Sequence, residues 1–168
     1  IREVDFIIMC LPTPLKKDKS PEMKFINNSL NKIFPYLKKN QCMSLESTTY
    51  PGTCDEVFVP ILEKKFKLGK DFYLVYSPER EDPGNKKYQL GKIPKVIGGH
   101  TKNCLKMGKS FYQLAGLNMI EVSNIKTAEF TKLLENIYRS VNIGLVNELK
   151  NITSRLGVNI FEVINTAK

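Results

Sequence analysis

The sequence is short of the residues that mark metal centres and disulfide frameworks. Its one histidine and four cysteines, Cys10, Cys42, Cys54 and Cys104, are scattered without the paired spacing of a zinc site, so neither a bound metal nor a cystine framework is expected. No apolar run approaches the roughly 20 residues of a membrane span, and the amino end, IREVDFIIMC, has the character of neither a signal peptide nor a transit peptide. A soluble, cytoplasmic chain with no membrane attachment is therefore expected. That end also lacks an initiator Met and enters an apolar run at once, which reads as the start of a cut piece. The balance of 26 Lys and Arg against 17 Asp and Glu, +9 overall, favours anionic partners: nucleic acid, an anionic surface or phosphorylated small molecules. The lysines fall at helix ends and in loops, where solvated charge is the default, and no basic motif interleaved with aromatics is present. No specific nucleic-acid partner is expected.

What the sequence does contain is alternation of strands and helices. Its 168 residues, 42% apolar, suffice for one core, with room for a second, partial domain. Short apolar runs rich in β-formers predict strands over 4–11, 42–45, 72–76, 96–97 and 119–122. Between them, helices are predicted from a Ser20-Pro21-Glu22 cap through Leu37, over 55–66 and over 102–114. This order predicts an α/β fold with a parallel, doubly wound sheet over 1–123. Residues 124–168 then form a long helix running to Leu156, and a further helix that Asn159 and Glu162 cap and that runs to the end at Lys168.

In a parallel sheet every loop that follows a strand emerges on one edge, and ligands collect there. Those loops are Pro12-Thr13-Pro14, Glu46-Ser47-Thr48 and Ser77-Pro78-Glu79. The long helix carries Phe130, Leu133, Leu134, Ile137, Val141, Leu145 and Leu149 at three- and four-residue steps, the pattern of one buried face. It also carries Lys132 and Asn136, one turn apart and able to point at a common target. Singly, Thr13, Thr48 and Glu79 read as turn or cap residues, Lys132 as a solvated lysine and His100 as a solvated or capping group. The convergence of Thr13, Thr48, Glu79, Lys132 and Asn136 on one crevice, without His100, is what points to chemistry.

The segments CLPTPLKKDKSPEM, ESTTYPGT, YSPEREDPGN, IPKVIGG and AEFTKLLENIYRSVNIGLVNELK, in this order, resemble the UDP-sugar 6-dehydrogenase family over nearly the whole chain. PEREDPGN looks more like the branch that acts on UDP-N-acetylhexosamines, typified by UDP-N-acetylglucosamine 6-dehydrogenase, than the UDP-glucose branch. The resemblance implies the second half of a Rossmann-like NAD domain followed by a long helix that opens an all-helical dimerisation domain. It implies NAD as cofactor, beside Pro12, Thr13, Ser47 and Thr48, and a UDP-sugar contacted by Glu79, Arg80, Lys132 and Asn136. Thr48, Glu79, Lys132 and Asn136 take the catalytic positions: Glu79 that of an acid/base, Thr48 that of a hydroxyl shared by nicotinamide and a water. Lys132 and Asn136 match an ammonium and an amide on the reacting oxygen. The implied reaction oxidises the sugar 6-hydroxyl to a uronic acid, through an aldehyde and a cysteine thioester, toward surface polysaccharide precursors. A homodimer through the helical domain is implied too. The family's GxGxxG turn and Gly-Gly-x-Cys segment are absent from these residues, and Pro83 stands where the UDP-glucose branch has a second glutamate. The segment alone is therefore expected to be inactive. Rival readings are UDP-glucose 6-dehydrogenase, a hydroxyacid or phosphogluconate-type dehydrogenase with the same Lys/Asn pair, and a non-catalytic module that binds nucleic acid through its charge.

Overall fold

The computed structural model describes residues 1–79 and 93–167, so Arg80 and Pro83 lie outside the described residues. Five strands, β1 (Phe6–Met9), β2 (Cys42–Leu45), β3 (Tyr73–Tyr76), β4 (Lys95–Gly99) and β5 (Met119–Glu121), form one sheet in that order. β1, β2 and β3 are parallel, with Met9 beside Leu45 and Leu45 beside Tyr76.

Helices cover both faces, which is why the strands read as unbroken apolar runs. Alternate residues Ile7, Met9, Met43, Leu45, Leu74 and Tyr76 pack with α1 (Lys24–Ile33), α2 (Val59–Leu62) and the start of α4 (Ile125–Arg155), through Ile26, Leu30, Leu62, Ile125 and Ala128. Cys42, Val75 and Ile97 face α3 (Lys102–Leu114) through Cys104 and Tyr112. The Phe6 ring lies flat on Phe111, with centroids 3.6 Å apart. Gly108 is where α3 comes closest to the sheet: a Cβ there would lie 2.7 Å from Val75 Cγ1.

Three local expectations are corrected. Ser20 does not cap α1; its N–H and hydroxyl are engaged by Asp18 Oδ1 at 2.9 and 2.7 Å, and the helix begins after Met23 with no side-chain cap. The helix expected over 55–66 is one wide turn, Cys54–Phe58, followed by the short α2. Pro60 has no N–H to give to the carbonyl of Glu56, so regular helical bonding cannot run through this stretch. The third concerns strand direction. β4 runs antiparallel to β3, and β5 runs parallel to β4. Returning a chain for parallel pairing needs a crossover, usually a helix, and 77–85 is made of turn formers and charges with no helical period. The sheet is thus mixed, and the start of β4, rather than the exit of β5, lies at the edge where β1, β2 and β3 end.

The chain divides into two compact units, Ile1–Leu133 and Leu134–Lys168. α4, 31 residues and about 46 Å long, is one continuous helix through the boundary. Its buried residues are Ile125, Ala128 and Glu129. The stripe expected to be buried is instead largely exposed: Phe130, Leu134, Ile137, Val141, Leu145 and Leu149 all show large apolar surface, since a helix of this length leaves most of it without cover among the described residues. In the second unit, Gly157 takes a left-handed φ of +68° that lets the chain leave α4. Asn159 Oδ1 then accepts the Phe161 N–H at 3.0 Å to start α5 (Ile160–Thr166), which stops short of Lys168. No helix among the described residues is long and apolar enough to cross a membrane, and no group of side chains among them could hold a metal ion.

Candidate active site

In-register pairing assembles the edge. Pro12, Thr48 and Glu79 each stand three residues beyond Met9, Leu45 and Tyr76, neighbours across three parallel strands. The loops are tied together by their own polar atoms. The Leu11 N–H donates to Ser47 Oγ at 2.7 Å, the Thr13 hydroxyl to the Thr48 carbonyl at 2.7 Å and the Tyr76 hydroxyl to the Ser47 carbonyl at 3.1 Å. Ser47 is buried and its hydroxyl is engaged inside the protein, while Pro12 is exposed. Thr48 is half-buried, and its own hydroxyl takes no hydrogen-bond partner among the described residues. The Thr48 hydroxyl is therefore an available donor on this rim, and the neighbouring Thr49 hydroxyl, which is buried, also lacks a hydrogen-bond partner among the described residues.

Beneath this rim is an ion cluster that the sequence reading missed. Lys95, 7% exposed at the start of β4, places its ammonium 2.9 Å from Glu46 Oε2 and 3.1 Å from Glu79 Oε2. The antiparallel register puts it there: Tyr76 pairs with Gly98, so Lys95 falls opposite Glu79. Glu46 Oε1 lies 2.5 Å from the Tyr112 hydroxyl, which is also 2.7 Å from Ser44 Oγ. Burial, then the Glu46 carboxylate, holds the Tyr112 phenol far above its ordinary range, so it remains a neutral donor. The available signal was a lysine inside the apolar run of IPKVIGG, since a charge at a strand position covered on both faces requires a partner.

α4 contributes a second missed group. Glu129 is 0% exposed; its Oε2 accepts the Gly52 N–H at 2.5 Å and its Oε1 the Cys54 N–H at 3.0 Å. These amides open the wide turn Cys54–Phe58, and unpaired N–H groups at a helix start are a natural seat for a carboxylate. Burial raises the Glu129 pKa, an effect partly offset by the Gly52 and Cys54 hydrogen bonds. Lys132 follows three residues later, half-buried on α4 in the same compact unit. Asn136, also half-buried, is one further turn along the helix, in the second unit. The signal for Glu129 was its spacing: it falls on the Ile125–Ala128 stripe, four residues after Ile125.

The cysteines are poorly suited to attack. Cys42, Cys54 and Cys104 are buried, and burial raises the first two thiols well above their usual range. Cys10 is exposed, but burial first and Glu46 next raise it too.

A sheet covered by helices on both faces, with polar loops gathered beyond the carboxyl ends of its parallel strands, defines an α/β protein of the kind that collects ligands at that edge. Residues 1–115 match the model of the UDP-glucose/GDP-mannose dehydrogenase family, NAD binding domain, and residues 126–168 match that family's central domain. The chain belongs to the UDP-glucose/GDP-mannose dehydrogenase family. It is 35% identical over 170 residues to a UDP-N-acetyl-D-glucosamine 6-dehydrogenase of Pseudomonas aeruginosa, covering 99% of this chain and 40% of that protein. It is 35% identical over 168 residues to a UDP-N-acetyl-D-mannosamine dehydrogenase of Methanocaldococcus jannaschii, covering 98% of this chain and 38% of that one. Among solved structures it resembles the UDP-D-ManNAc dehydrogenase of Pyrococcus horikoshii, with a TM-score of 0.89, 30% identity and coverage of 98% of this chain and 40% of that one. The chain thus spans about two fifths of the relatives it matches. NAD is the cofactor of the domain to which 1–115 belongs. The rim fits it in one respect: beyond the carboxyl end of β2 the Thr48 hydroxyl takes no hydrogen-bond partner among the described residues.

Proposed function

We propose that these residues are part of an NAD-dependent UDP-N-acetylhexosamine 6-dehydrogenase, contributing the second half of its NAD domain, 1–123, and the opening of its central helical domain, 124–168. The observation that carries this reading is the placement of Thr48 and Glu79 each three residues beyond the paired ends of neighbouring parallel strands, with the helix of Lys132 bonded through Glu129 to the loop that follows Thr48. NAD, when bound, supplies the hydride acceptor for both oxidations.

The chain's own residues do the rest. Pro12 and Thr13 shape the first loop against the cofactor, and Ser47, from inside, holds the second loop in place. The Lys132 ammonium opposes charge developing on the sugar 6-oxygen, and the Asn136 amide hydrogen-bonds the same oxygen. Fixed donors facing an oxygen that gains charge in a water-poor cleft stabilise the transition state far more than they would in water. Glu79 exchanges protons at that oxygen or at an attacking water, and Thr48 orients the water. Arg80 pairs with the anionic substrate. The nucleophilic thiol comes from outside these residues, consistent with buried or weakly acidic cysteines within them. The full-length protein is a homodimer through the helical domain, where the apolar stripe of α4 is buried against the second copy.

The test is NADH production by the full-length protein across a panel of UDP-sugars. UDP-N-acetylhexosamines are expected to support turnover well above UDP-glucose, with no turnover by residues 1–168 alone. A preference for UDP-glucose, or for an unactivated hydroxyacid, would replace this reading with one of its rivals.

A further inference from the structure

Glu129 has features that a simple core residue does not need. Its carboxyl group is fully buried on a helix face otherwise lined by Ile125 and Ala128. Desolvating a carboxylate is costly unless fixed hydrogen bonds compensate, and an apolar side chain at this position would avoid that cost. The hydrogen bonds it does make reach 75 and 77 positions away in sequence, to the N–H groups of Cys54 and Gly52. The partner segment is the continuation of the Ser47–Thr48 loop. Between them, the Thr53 hydroxyl closes back on the Tyr50 carbonyl at 2.6 Å, and Gly52 takes a φ of +105°, so the segment is a defined turn and not slack chain. A Cβ on Gly52 would lie 3.1 Å from Glu56 Oε1 and 3.5 Å from Lys126 Cε, so the first turn of α4 packs on this point. Glu129 and Lys132 are one turn apart on one helix, and Thr48 lies four residues before Gly52.

We propose that Glu129 is a positioning residue: by accepting the Gly52 and Cys54 N–H groups it clamps the Thr48 loop to the helix that carries Lys132, and so fixes the hydroxyl and the ammonium in register. The inference rests on the proposed dehydrogenase reading for the roles of Thr48 and Lys132. A carboxylate suits this clamp because it offers two acceptor oxygens in a fixed plane to two amides at a helix start. Glutamine keeps the shape but offers one acceptor, and alanine offers none.

The experiment uses the full-length enzyme with a UDP-N-acetylhexosamine and NAD. Glu129→Gln is expected to lower kcat about tenfold or more with KM for the UDP-sugar changed less than about threefold, and Glu129→Ala to lower it further. The decisive measurement is a cycle with Thr48→Ala. If Glu129 acts by positioning the Thr48 loop, Glu129→Gln costs much less in kcat once the Thr48 hydroxyl is gone. Equal fold-losses in both backgrounds would overturn the proposal, because a residue that only stabilises the fold acts additively. Should Glu129→Gln and Glu129→Ala fail to fold, hydrogen exchange on the wild-type protein decides: the Gly52 and Cys54 amides are expected among the slowest in the loop, and rapid exchange at both overturns the clamp. Failure of the underlying function looks different, since the wild-type enzyme would then reduce no NAD with any UDP-sugar.

Discussion

Replacing Lys95 with methionine should strongly destabilise the protein, and the size follows from the geometry. The ammonium is 2.9 Å from Glu46 Oε2, and the two side chains are 8% and 11% exposed. At an effective dielectric constant of about 20, unit charges at that separation attract by about 5–6 kcal/mol. Most of this is offset by desolvation of both ions, so the pair as a whole contributes little net stability. Removing one partner is another matter. Glu46 would keep its buried charge with only the Tyr112 hydroxyl beside it, and the expected loss is about 3–5 kcal/mol. The contact to Glu79, whose side chain is 62% exposed, adds at most about 1 kcal/mol. Urea unfolding of the full-length protein at neutral pH, followed in the domain that holds the sheet, measures the loss. Glu46→Gln combined with Lys95→Met should restore much of it, because the uncompensated charge is gone. A loss below about 1 kcal/mol for the single variant, or a double variant no better than the single, would refute the account of a buried ion held by one carboxylate.

The roles proposed for Lys132 and Asn136 predict that Lys132→Ala and Asn136→Ala in the full-length protein lower kcat far more than they raise KM for the UDP-sugar, because each is assigned to an oxygen that gains charge only during reaction; unchanged kcat in either removes that residue from the site. Gly108→Ala would gain about 1 kcal/mol from helix propensity alone, yet its Cβ would meet Val75 Cγ1 at 2.7 Å and Ile97 Cδ1 at 3.0 Å. A net loss of about 1–2 kcal/mol in chemical denaturation is expected, and a net gain would mean α3 sits farther from the sheet. Glu129 has its folded pKa raised from 4.5, chiefly by burial, with Asp55 adding to the rise. A group with a raised folded pKa gives stability that is present below the unfolded value and lost as pH rises through the folded one. Wild type should therefore lose stability relative to Glu129→Gln on going from pH 4 toward neutrality, and a constant difference across that range would contradict it.

Much of the fold was legible because strands covered on both faces leave an unmistakable apolar trace. Cys42–Leu45 and Lys102–Leu114 fall on the residues the pattern predicts, the first as a bare apolar run and the second from its helical period. Direction was not legible. Whether β4 runs with or against β3 depends on what the connection can do, and a stretch of turn formers carries that information only as the lack of a helix. α2 failed for a similar reason: an apolar period does not register that Pro60 breaks the hydrogen-bond ladder.

The site divides along the same line. Thr48, Glu79 and Lys132 could be singled out because strand exits and helix faces are sequence features. Glu46, Lys95 and Glu129 could not, because each is defined by a partner distant in sequence: Lys95 by an antiparallel register, Glu129 by two amides of a turn more than seventy residues away. All three are charged groups at buried or nearly buried positions; in the sequence Lys95 and Glu129 show only as irregularities in an apolar pattern, and Glu46 only as one member of a polar loop. Such an irregularity has one physical resolution in a folded chain, a fixed partner. The residues proposed to face substrate can therefore be found from local pattern, whereas those proposed to hold them in place become visible only when the chain is folded, and the proposed coupling between Glu129 and Thr48 is where that distinction can be measured.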